Sequence, residues 1–379
     1  MKYKCRVCSS PFYSEPLMIY ENMPGAAQFM PNAESVINDK GINLHICQCS
    51  GCGLIQLDND PVPYFREVIR ATSFSEGMSQ FRKKQFAYFI KKYGLKDKKI
   101  VEIGTGTGHY LSIMDSLDVE ASGIEYSQES INICQKAGLR VSKDYLDSED
   151  IIIPGGPFDA FFIMSFLEHL PDIKTALAGI ANNLKGNGVG IVEVPNFDMI
   201  LRNNLFSEFI GDHIYYFTEA TLRTTLETNG YEVLDCEEVW YNYIISAKVK
   251  KREALNLNHF HNTKEKIKQD INQYLSRFSP GKVAIWGAGH QSLAIMSLAD
   301  LGEKIKYVLD SATFKQGKFT PATHIPIVAP ETLDTDPVDA VIVMAASYSD
   351  EVAEIIIKNY NPNIQIAILR EFGLENISH

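Results

Sequence analysis

The 379-residue sequence predicts an α/β protein built on a doubly wound parallel sheet, with an N-terminal zinc-binding module and a C-terminal Rossmann-like domain. Three observations predict it. Residues 100–111 run from an apolar stretch through an acid and three alternate glycines into a segment of helical character. Strand-like and helix-like segments then alternate, as parallel sheets require. Two C-x-x-C pairs stand near the N-terminus, and a second strand–glycine–helix unit begins after residue 280.

The N-terminal quarter carries Cys5 and Cys8, then Cys49 and Cys52 followed by Gly53. Two such knuckles suit a closed four-thiolate zinc site, which organises a fold and leaves no open position for catalysis. Cys47 shares a strand face with Cys49 and is expected outside the site. Residues 21–31 are rich in turn formers and poor in charge, which suits packing against another domain or a ligand. Residues 79–90 have apolar positions at helical spacing and basic ones opposite, so a helix should precede the first strand of the sheet. Arg70, just before it, is a candidate partner for a ligand anion.

The glycines of Glu102-x-Gly104-x-Gly106-x-Gly108 allow close backbone approach to a ligand. The dinucleotide fingerprint has a wider last gap. The pattern here resembles motif I of the class I S-adenosylmethionine (SAM) methyltransferases. Glu125 ends the next strand about 20 residues on, where such folds place a carboxylate on ribose hydroxyls. By the same resemblance Asp144, after another short strand, would contact the adenine. Leu167-Glu168-His169 closes the fourth strand in the family manner, which puts His169 at the ligand end of the sheet.

Residues 211–218 gather Asp212, His213, Tyr215 and Tyr216 before a helix start at Thr218. A histidine beside a carboxylate is a plausible general base; an N-cap with a core histidine is the plainer alternative. Knuckles, SAM core, an acid-H-x-x-Y-F segment and a second α/β unit occur in this order. The whole chain thereby resembles the NDP-sugar C-methyltransferases of deoxysugar biosynthesis. That resemblance implies SAM and structural zinc as cofactors and a nucleotide-sugar as substrate. It implies C-methylation next to a ketone, with His213 in the region of the base, Asp212 for the family's glutamate and His169 for its second histidine. Two family tyrosines are missing from their expected places: Ile210 occupies one, and residues 68–72 contain none.

From residue 249 the chain becomes polar, then residues 282–293 repeat the strand–glycine–helix signal, and Asp310 ends a second strand. Ser292 breaks the dinucleotide fingerprint. Residues 315–327 resemble the family's K-Q-G-x-x-x-P…H-I-P-I segment, so this domain would help hold the nucleotide-sugar near Gly289. The expected domains are 1–62 (zinc), 63–248 (SAM-dependent methyltransferase) and 249–379 (Rossmann-like). Alternatives are O- or N-methylation of a nucleotide-linked sugar, an NAD-dependent sugar oxidoreductase, or a non-catalytic sugar-nucleotide sensor.

Composition narrows the classes. The chain is 45% apolar and 22% charged, in the ordinary globular range. A net charge of −11 argues against nucleic acid as main partner. No apolar run reaches the roughly 18 residues of a membrane span. Without a signal-like N-terminus the expected location is the cytoplasm, where the seven cysteines would be reduced or metal-bound.

Overall fold

The computed structural model describes residues 4–28, 30–68 and 75–377. The chain divides into two compact units, one within residues 1–253 and the other within 254–379.

The first unit opens with strands β1 (Met18–Met23), β2 (Ile42–Gln48) and β3 (Ile55–Leu57), an antiparallel meander. Helix α1 (Glu76–Tyr93) follows. Ser75 caps its start by accepting from the Met78 amide at 3.1 Å, and Gly94, at φ +64°, ends it in the left-handed conformation that glycine adopts most readily.

Next come β4 (Lys99–Ile103), α2 (His109–Asp115), β5 (Glu120–Glu125), α3 (Gln128–Lys136) and β6 (Val141–Lys143). Then β7 (Phe158–Met164), α4 (Ile173–Asn182), β8 (Leu184–Pro195) and α5 (Phe197–Arg202). The unit closes with β9 (Tyr215–Tyr216), α6 (Glu219–Thr228), β10 (Tyr231–Val239) and β11 (Ile244–Lys251). Among the described residues the large sheet has the order β10-β11-β8-β7-β4-β5-β6. The strands from β8 through β6 are parallel, and β11 runs antiparallel to both its neighbours. This is the class I methyltransferase arrangement that the glycine motif implied. The sequence places this strand at residues 139–141; β6 instead begins at Val141, because Leu139 is still tied by its amide to the Cys134 carbonyl at the end of α3.

Buried apolar side chains cover both faces of the large sheet. One face packs on α1, α2 and α3 through Phe86, Leu111, Ile131 and Phe162. The other packs on α4 and α6, and its cluster extends without a break to Cys5, Val7, Cys49 and Leu54. The knuckles therefore share a core with the sheet. The link is also made through the backbone. Strand β9 pairs with β3, so the small sheet has the order β1-β2-β3-β9 and borrows its last strand from the segment just after His213.

The second unit contains α7 (Asn258–Leu275), β12 (Val283–Trp286), α8 (His290–Leu298), β13 (Val308–Leu309), β14 (Ile327–Val328), α9 (Thr332–Thr335), β15 (Ala340–Val343), α10 (Ser349–Asn359), β16 (Gln365–Arg370) and β17 (Gly373–Ile377). Its sheet runs β14-β13-β12-β15-β16-β17, parallel except for the last strand. No helix among the described residues is long and apolar enough to cross a membrane.

Candidate active site

The crevice lies at the carboxyl ends of β4, β5 and β7, where ligands sit in open parallel sheets. The glycines after β4 do different jobs. A Cβ on Gly104 (φ +69°) would stand 2.6 Å from the Phe166 ring, so that position is closed by packing. A Cβ on Gly106 (φ +55°) would meet nothing within 4 Å, so the loop there faces open space. Gly108 begins α2, and Glu102 is fully buried on β4.

Glu125 braces this loop. One carboxylate oxygen accepts from the Gly106 amide at 2.7 Å, and the other accepts from Tyr126 and Ser127 at 2.9 and 2.8 Å. A carboxylate has about four acceptor positions, so capacity remains for a hydroxyl donor. Asp144, half-buried at the end of β6, accepts from the Tyr145 amide at 2.9 Å. Open space over Gly106, an acid on the ribose side and a second acid one strand further fit an adenosyl group.

From Gly104 a line of rings leads to the second cluster. Phe166 abuts Gly104, lies 6.5 Å from the His169 ring, and His169 lies 4.8 Å edge-to-face from His213. The side-chain donor atoms of Glu168, His169 and His213 all lie within 4.8 Å of one another, close enough for a shared proton or a cation. His169 Nδ1 lies 2.8 Å from the Asp212 carbonyl. A carbonyl only accepts, so Nδ1 carries a proton, and Nε2 lies 3.9 Å from Glu168 Oε1. The segment is pinned on both sides. The Ile214 amide donates to the Glu168 carbonyl, and its carbonyl accepts from Leu57, both at 2.9 Å.

His213 keeps part of its ring open while lying deep in protein; burial first, and His169 second, hold its pKa down to about 3 from the ordinary 6.5. It is a neutral imidazole at pH 7. The Asp212 carboxylate is turned away from that ring and accepts from the Tyr64 hydroxyl at 2.9 Å. Burial raises the Asp212 pKa, and burial pushes Tyr64 up to about 12. The Tyr64 oxygen also accepts from the Ala27 amide at 3.1 Å.

Tyr64 is the residue that the sequence reading missed. The expected phenol was sought at residues 68–72. Of these, 69–72 lie outside the described residues, as does Arg70. A phenol does stand on the acid, but it comes from residue 64. The signal available was an exposed-type residue, Tyr, in a short turn segment just after the knuckles.

The knuckles converge. Cys5 and Cys52 Sγ are 3.7 Å apart, Cys8 and Cys49 Sγ 3.4 Å, and all four fall within 4.8 Å. Tetrahedral zinc with bonds of about 2.3 Å places its sulfurs about 3.8 Å apart. Amides of Val7, Gly51 and Cys52 point at these sulfurs, as does the Gln56 side chain. Cys47 is buried outside this group.

In the second unit Asp310 is occupied. It accepts from the Ala288 amide of the glycine turn at 2.9 Å and pairs with Lys315 Nζ at 2.9 Å, which also donates to the Ala288 carbonyl.

Comparison with known proteins bears on both units. A family described as "Methyltransferase domain" matches residues 75–235, and one described as "C-methyltransferase C-terminal domain" matches residues 246–363. C-methyltransferase NovU of Streptomyces niveus is 23% identical, covering 93% of this chain and 91% of that protein. The ubiquinone biosynthesis O-methyltransferase of Colwellia psychrerythraea is 22% identical over 44% of this chain and 74% of its own length. A SAM-dependent methyltransferase structure from Clostridium acetobutylicum covers 50% of this chain and 96% of its own, at 15% identity and a TM-score of 0.39. The O-methyltransferase similarity covers 44% of this chain, whereas the C-methyltransferase similarity covers 93%. The chain is a SAM-dependent methyltransferase, similar over 93% of its length to a C-methyltransferase and matched by a methyltransferase domain at residues 75–235 and a C-methyltransferase C-terminal domain at residues 246–363.

Proposed function

We propose that the enzyme methylates the carbon next to a ketone on a nucleotide-linked sugar, with His213 as the base. The observation that carries this reading is the ring path from the glycine turn through Phe166 and His169 to a neutral His213. Bound SAM supplies a methyl group on a positively charged sulfur that leaves readily. The chain then has two tasks, proton removal and positioning. His213 accepts the proton from the carbon beside the carbonyl. His169, oriented by the Asp212 carbonyl, packs edge-to-face on His213. The Asp212 carboxylate also holds the Tyr64 phenol. Glu125, Asp144 and the open edge at Gly106 hold the adenosyl group.

The thiolate set Cys5, Cys8, Cys49 and Cys52 would hold a structural zinc ion, since its sulfur spacing matches a tetrahedral site and backbone amides already point at the sulfurs. The second unit would contribute to holding the nucleotide-sugar.

Incubation with a nucleotide-linked keto-sugar in deuterium oxide, without SAM, tests the base. We expect deuterium at the adjacent carbon, and its loss in His213→Ala. Methyl transfer to oxygen or nitrogen with no exchange at carbon would reject the reading.

A further inference from the structure

A second aromatic cluster stands around Arg66 in the single-turn helix Phe65–Glu67. The guanidinium carbon lies 5.3, 5.5 and 5.2 Å from the ring centroids of Phe65, Tyr126 and Tyr145. Tyr145 meets both other rings edge-on, with centroids 5.9 and 6.0 Å away. Tyr126 directly follows Glu125 at the end of β5, and Tyr145 directly follows Asp144 beyond β6. The cation is therefore centred on the two strand ends whose acids frame the adenosyl group.

The ion pair with Asp147, 3.3 Å away, does not explain this placement. Its side chains are 40% and 59% exposed, and such pairs are worth little. Three ring contacts hold the guanidinium instead. The turn itself is anchored from elsewhere. Tyr64 donates to Asp212, and Gln28 Nε2 donates to the Glu67 carbonyl at 2.9 Å. Arg66 is thus carried on a fixed turn, with its planar group beside the ends of β5 and β6.

We propose that Arg66 is a cofactor-binding residue whose guanidinium plane stacks on the purine of SAM, closing the adenine end of the crevice against Tyr126 and Tyr145. A delocalised planar cation and two phenols present flat faces suited to a nucleobase. The proposal rests on the reading that Glu125 and Asp144 frame the adenosyl group.

The test is calorimetric titration of the full chain with S-adenosylhomocysteine and, separately, with adenosine. Arg66→Ala should weaken both ligands by about the same factor, on the order of tenfold for a partly desolvated cation–π contact. Arg66→Lys keeps the charge but not the plane and should fall between. Asp147→Asn should stay within about twofold, because an exposed pair contributes little. Thermal melts of each variant report folding. Glu125→Ala separates the two readings. If it loses affinity while Arg66→Ala binds like wild type, the role of Arg66 is overturned and the site stands. If both bind like wild type, the adenosyl site itself is misplaced. Weakened S-adenosylhomocysteine with unchanged adenosine would also overturn stacking on the purine.

Discussion

His213 illustrates how a buried group makes a pH statement. Its folded pKa is near 3, against about 6.5 unfolded. Above pH 6.5 both states are neutral and the group is silent. Between 6.5 and 3 the unfolded chain binds a proton that the folded chain refuses, so stability falls as pH falls through this window. The slope is at most about 1.4 kcal/mol per pH unit. His213→Gln removes the titration, so denaturant melts should show a shallower loss of stability than wild type between pH 6.5 and 4. Parallel slopes would mean that His213 is not held neutral by the fold. Tyr64 makes a separate kinetic statement. Tyr64→Phe deletes the donor to Asp212, and turnover should drop about a hundredfold, the low end of acid–base contributions. S-adenosylhomocysteine affinity should fall far less, because the bond reaches the cofactor only through the turn that carries Arg66. The histidines and Asp212 were legible because they cluster in motifs. Tyr64 was not, since its partner is 148 positions away and no local pattern marks the meeting.

Among elements, β9 has the most consequence for its size. It has two residues, yet it joins the small sheet through Ile55 and Gln56 and directly follows His213 and Ile214. Whatever stiffens β2 and β3 also stiffens the backbone carrying His213. The four sulfurs converge at the turn between β2 and β3, and Gln56, fully buried on β3, bonds Cys5 Sγ and the Arg6 amide. Metal binding and folding are coupled in such modules. Stripping the metal with a chelator should therefore lower the melting temperature by several degrees and reduce methyl transfer, with restoration on adding zinc. Cys8→Ser should reproduce both losses without rescue. A stripped enzyme with full turnover would sever the small sheet from the active site. The C-x-x-C spacing announced the thiolate set. It could not announce the β3–β9 pairing, because a two-residue strand has no periodicity to read.

At the scale of the whole molecule, the two units repeat one device with different outcomes. In each, an acid at a strand end accepts from an amide of the glycine turn: Glu125 from Gly106, and Asp310 from Ala288. Alternating strands and glycine turns made both units readable as α/β from the sequence alone. What sequence could not give was the state of the acid. Glu125 keeps acceptor capacity for a ligand hydroxyl, whereas Lys315 neutralises Asp310 and reaches across to the Ala288 carbonyl. That lysine pairs with the acid a nicotinamide ribose needs and stands beside the amino end of α8. Anions are favoured at such a helix end. The consequence for the full chain is specific. Titration with NAD should produce no shift in melting temperature at millimolar ligand. Lys315→Ala should raise the KM for the nucleotide-sugar about tenfold, the loss of one charge-assisted contact, and leave S-adenosylhomocysteine affinity where it was. An unchanged KM would confine the second unit to a role other than holding the acceptor's phosphates, and NAD binding in the variant alone would show that Lys315 is what closes the site to that cofactor.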